Sequence, residues 1–89
     1  MFKELLKEKR KYYGRTNFYP TAIKLTSNMW AELKMEGKAI NMNATTGFSP
    51  LARLGAAGSV NGMLVYIDDT IADFEFGYHY EDGFNKEAF

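Results

Sequence analysis

The sequence predicts a two-layer α+β domain, in which a small, mainly antiparallel sheet of about four strands is covered by two helices. Three observations carry this expectation. Apolar residues recur at helical spacing near the N-terminus and around Trp30. They alternate or run together in four short segments bounded by turn residues. A helix with one apolar stripe must bury it, and a sheet is the surface available here.

The first helix is expected over residues 1–13, where Phe2, Leu5, Leu6 and then Tyr12 or Tyr13 fall on one side. Glu4 precedes Lys7 and Glu8 precedes Lys11, which are favourable helical pairs. Gly14 is the expected stop. Residues 14–20 form a connector, because Pro20 drives the residue before it out of helix. Thr21–Thr26 reads as a strand with Ile23 and Leu25 on one face and Lys24 and Thr26 on the other. Thr26 or Ser27 then caps a helix over Asn28–Glu36, with Met29, Trp30 and Leu33 as its stripe and Gly37 as its end.

A second strand is expected at Ala39–Ala44. Residues 45–62 are rich in Gly, Ala and Ser, carry Pro50 and show no clear period, so they read as one long loop. Leu51 and Leu54 fit one short helical turn within it, and Asn61-Gly62 has the composition of a type I′ hairpin turn. Met63–Asp68 is nearly continuously apolar, the mark of a strand buried on both faces. Asp73–Glu81 alternates cleanly. Phe74, Phe76, Tyr78 and Tyr80 share one face, and the other is expected to be wet. Residues 82–89 read as a tail, although Phe84 and Phe89 are unusual in a free one. Residues 1–89 show no internal repeat and no second domain.

Composition narrows the function classes. A domain of 89 residues buries only about 60–65 % of its unfolded surface, so its stability margin is thin. It has no cysteine and one histidine, which excludes disulfides, thiolate metal sites and a His-rich zinc site within one chain. No cofactor motif is present, so no cofactor is expected. The chain has seven Phe, six Tyr and one Trp, a surplus that favours association as a homo-oligomer. No apolar run is long enough to cross a bilayer, and MFKELLKEKRK lacks the apolar core of a signal peptide, so an intracellular location is expected. The formal charge is zero but divided: residues 1–38 carry nine basic and four acidic groups, and residues 39–89 carry two and seven. Oppositely charged halves can attract within a chain or between copies. Because Glu4 and Glu8 dilute the basic segment, nucleic acid is not the expected partner.

Several residues are weighed as sites. Asp73, Glu75 and His79 share a strand face, but groups four apart on a strand lie about 13 Å apart, so a solvated face is expected rather than a catalytic pair. Asp68-Asp69 reads as a strand-ending turn, with a hard-cation site as the alternative. Within the long loop, Arg53 with Gly55, Gly58 and Ser59 is a candidate contact for an anion or a partner carboxylate. Phe18 and Tyr19, beside Tyr12 and Tyr13, form a candidate contact cluster; Trp30 is either core or a stacking surface. No nucleophile–base pair stands out, and an enzyme is not expected.

The run PTAIKLTSNMWAELK, followed later by NGMLVYIDDTIADFEFG, resembles the cadence of tailed-phage coat proteins of the HK97-like class. In that class a Pro-Thr strand leads into a helix with an early Trp, and a Gly-Met or Gly-Leu pair opens an apolar strand ending in Asp-Asp. The resemblance spans about residues 20–77. The chain lacks the long spine helix and extended arm of that class, so what the resemblance implies is a small viral structural or accessory protein. It would lie in a virion or a host cytoplasm and pack against itself or a coat protein. Phe18, Tyr19, Arg53 and Phe89 would be contacts. The alternative is an oligomeric viral inhibitor that binds a host protein or sequesters a signalling nucleotide between subunits, using Arg53, Trp30 and Tyr19.

Overall fold

The computed structural model describes residues 1–41, 56–80 and 83–86. Their order is α1 (Phe2–Thr16), β1 (Ala22–Leu25), α2 (Ser27–Met35), β2 (Ala39–Asn41), β3 (Ala56–Val60), β4 (Met63–Ile67), β5 (Glu75–Tyr80) and β6 (Gly83–Asn85). The α+β class holds, but the sheet has six strands rather than about four, in the order β2-β3-β4-β1-β5-β6. β1 runs parallel to β4, and every other neighbouring pair is antiparallel.

Both additional strands lie in segments whose composition hides them. The expected loop over 45–62 contains β3, AAGSV, where only Val60 is a strong strand former. Its small residues are a packing requirement. A Cβ at Gly58 would collide with the Ile40 carbonyl and come within 2.9 Å of the Trp30 ring. A bulge between Ala56 and Gly58 breaks the alternation further. Residues 45–55 of the expected loop, the Leu51/Leu54 turn and residues 42–44 of the second strand lie outside the described residues. The expected tail over 82–89 contains β6, which pairs with the second half of β5 while the first half of β5 pairs with β1. Phe84 explains the pairing, since its ring packs edge-on against Tyr66 at 5.7 Å.

α1 runs through Gly14 to Thr16 and ends at Asn17 in the left-handed conformation. Glycine costs about 1 kcal/mol in a helix interior, but Tyr12, two residues before it, is anchored. Its ring lies 5.4 Å from Phe76, and its hydroxyl meets the Tyr78 hydroxyl at 2.9 Å. α2 begins as its sequence implies, with Thr26 Oγ1 accepting from the Met29 N–H at 3.2 Å. It ends in a Schellman motif at Gly37, whose φ of 72° is the left-handed value glycine adopts freely. Asn61 and Gly62 both have positive φ, the requirement of the type I′ turn between β3 and β4.

The main core lies between the helices and the sheet. Leu5, Ile23, Leu25, Leu33, Val60, Met63 and Val65 are almost wholly buried there. Ile23 and Leu25 share that face as the alternation requires. On the opposite face Ala22, Ala56 and Tyr66 form a smaller cluster with Leu64 and Phe84.

Candidate interaction surface

The connector after α1 is held by its own backbone chemistry. Thr16 Oγ1 donates to the Tyr12 carbonyl at 2.9 Å and accepts from the Phe18 N–H at 3.2 Å. The Asn17 N–H donates to the Tyr13 carbonyl, and Pro20 is buried at the entry to β1. Between these anchors the chain turns outward and Phe18 and Tyr19 reach solvent, 58 % and 61 % exposed, beside Tyr13 of α1 at 40 %. Tyr13 and Tyr19 stack with centroids 4.2 Å apart. Lys9 supports the stack from below. Its ammonium lies 5.8 Å from the Tyr19 ring and donates to Asn61 Oδ1 at 2.7 Å and to the Asn61 carbonyl at 3.0 Å. This clasp ties α1 to the β3–β4 turn, and the partial burial it imposes lowers the Lys9 pKa.

The other candidate residues separate. Trp30 is buried in the main core over Gly58, so the core reading describes it and the stacking surface does not. Ser59, half-buried, pairs with Leu64 across β3 and β4. Arg53, Gly55 and Phe89 lie outside the described residues. Among the described candidates, Phe18 and Tyr19 are the pair that stays exposed side by side, while Trp30 and Gly58 meet inside the core. Tyr13 and Lys9 join them through the four-residue spacing of one helix face.

The acidic groups have structural partners. Asp68 accepts from the Thr70 hydroxyl and N–H and lies 3.7 Å from Lys24. These contacts, Thr70 first, hold its carboxyl below the usual range. Asp69 accepts from the Ser27 N–H at 2.7 Å and its hydroxyl at 2.8 Å, which lowers its pKa in the same way. Asp68 closes the turn and faces Lys24 of β1, and Asp69 ties the turn to the start of α2. Among the described residues no group of three His, Asp or Glu side chains converges to hold a metal.

The face of β5 expected to be wet is partly covered by β6. Glu75 lies 3.4 Å from Lys86, and the Tyr66 hydroxyl is hydrogen-bonded to His79 Nδ1. The His79 N–H donates to Thr21 Oγ1 at 2.8 Å. These contacts hold strands and turns together.

An open groove of about 600 Å³ runs between α1 and the start of β5. Tyr12, Phe74 and Phe76 line it, together with the acids Glu4, Glu8 and Glu75 and the cations Lys7, Arg15 and Lys86. The Tyr12 hydroxyl is pushed up in pKa by burial and by its bond to Tyr78. Among the described residues, no helix is long and apolar enough to cross a membrane. Comparison with protein-family models, with curated proteins and with solved structures gave no match.

Proposed function

We propose that this chain is a non-catalytic interaction protein that binds further copies of itself through the aromatic tip formed by Tyr13, Phe18 and Tyr19. One observation carries the reading: Tyr13, at the end of α1, stacks on Tyr19 and is exposed with it and Phe18, where the connector's backbone is already held by hydrogen bonds. Large exposed aromatics are the residues that dominate interface energies. A surface ordered in advance loses little further entropy when it docks. The aromatic surplus of so small a domain fits the same reading. A viral role in contact with coat copies, as the resemblance implies, is compatible with it.

Sedimentation equilibrium over a range of protein concentrations tests this. The wild type is expected to associate, and the double variant Phe18→Ser, Tyr19→Ser to be monomeric with an unchanged circular dichroism spectrum. A wild type that stays monomeric at every concentration overturns self-association. So does a double variant that assembles as the wild type does.

A further inference from the structure

Viewed along its axis, α1 separates charges that its sequence interleaves. At about 100° per residue, Lys3, Lys7, Arg10 and Lys11 fall within one arc of roughly 100° that contains no acid and only Gly14 besides. All four are exposed. Glu4 and Glu8 lie beyond one edge of this arc, where they line the groove toward β5 together with Arg15. Lys7, in the middle of the arc, also borders that groove. The dilution of the basic segment by Glu4 and Glu8 is therefore a property of the sequence more than of the surface. Lys11 lies 3.4 Å from Glu8, an exposed pair of the kind that contributes little and competes weakly with another anion. The nearest acids of α2, Glu32 and Glu36, lie 3.6 Å from the N-terminal ammonium.

We propose that this outer flank of α1 contacts the phosphate backbone of nucleic acid. The dimensions fit. Lys3 and Lys11 are eight residues apart, about 12 Å along a helix, and one strand of a duplex presents a phosphate about every 3.4 Å of its axis. Four cations thus meet about four phosphates. The contact is electrostatic and independent of base sequence, because the four cations lie along the outer side of one helix and meet the backbone charge. A lipid surface fits less well. A helix that enters a bilayer interface must present its apolar side, whereas Leu5 of α1 is fully buried in the core and Phe2 and Leu6 pack against that core. The track is distinct from the aromatic tip and does not depend on association through it.

Fluorescence anisotropy with a short labelled duplex tests the proposal. Four phosphate contacts predict a slope of log K against log salt of about −3.6, or roughly a 150-fold loss of affinity between about 50 and 200 mM salt. The variant Lys3→Gln, Arg10→Gln, Lys7→Gln retains one contact, so its slope is expected near −0.9 and its loss near 3.5-fold over the same range. Thermal melting of the variant establishes that it is folded, and Lys3→Arg with Lys7→Arg is expected to bind like the wild type. Absence of binding at the lowest salt overturns the proposal, as does a triple variant with the wild-type slope. Binding to phosphatidylserine vesicles without binding to the duplex also overturns it and assigns the flank to lipid headgroups.

Discussion

On the helix side of the sheet, Ile23, Leu25, Val60, Met63 and Val65 lie beneath α1 and α2 and are almost wholly buried, whereas on the other side Ile40 is 67 % exposed and Leu64 only half-buried. The first face is aliphatic and closed by two helices. The second is closed locally, where β6 brings Phe84 over Gly77 and Tyr66. Its interactions are of a different kind. Lys24 lies 4.8 Å from the Phe84 ring centroid and 3.7 Å from Asp68, and Tyr66 bonds to His79. Burial of aliphatic area is what makes a small domain stable. The helix side should therefore hold most of the stability, and the β6 side should govern local order at the sheet edge.

The largest expected effect is on the helix side. Leu33→Ala removes a fully buried side chain and is expected to cost about 2–5 kcal/mol in denaturant unfolding. Phe84→Ala, on the half-buried counterpart, should cost roughly 1–2 kcal/mol. Equal losses would erase the contrast between the faces. Two glycines sharpen it. Gly58→Ala drives a methyl into the Ile40 carbonyl and the Trp30 ring, an overpacking expected to cost about 1–3 kcal/mol. Because Trp30 is the only tryptophan, its emission should shift as well. Gly77→Ala meets Phe84 and the Asn85 carbonyl instead. It should displace the short edge strand β6, at about 1 kcal/mol, and leave tryptophan emission unchanged. Hydrogen exchange should then show lost protection in β6 alone.

Smaller effects come from the ends of elements. Thr26→Ala removes the α2 cap and should lower stability by about 1 kcal/mol, read from the thermal midpoint. The turn after β4 adds a pH dependence. The carboxyls of Asp68 and Asp69 are held below their ordinary value of 3.8. The contribution of a depressed carboxyl is complete above that value and is lost as pH falls through the lowered one. Stability should therefore decline with acid across that window. The decline should be shallower in Asp69→Asn, and an unchanged pH profile in that variant would remove the carboxylate from the account. The smallest effect is at the tip. Phe18→Ser and Tyr19→Ser are expected to change stability by no more than about 0.5 kcal/mol, since both rings are mostly exposed, and to alter only association.

What was legible followed from local periodicity. The 3.6-residue stripe of Phe2, Leu5 and Leu6, the cap at Thr26, the stop at Gly37, the Asn61-Gly62 turn and the alternation of β1 and β5 are each decided by residues close together in the chain. The exposed pair Phe18 and Tyr19 belongs with them, because a connector ahead of Pro20 stays outside both layers. Other features needed partners from far along the chain. β3 reads as a loop until Trp30, twenty-eight positions before Gly58, is placed over it and forbids a larger side chain. β6 reads as a tail until Phe84 finds Tyr66.

Local sequence suffices for the α+β class, both helices, four of the six strands and the exposed Phe18 and Tyr19. The tertiary structure decided the sheet order, the burial of Trp30, the fate of the aspartates and the separation of basic from acidic groups around α1. The division has a physical cause. Backbone propensity and capping act over a few residues, whereas sheet pairing and close packing join surfaces whose complementarity is absent from either segment alone.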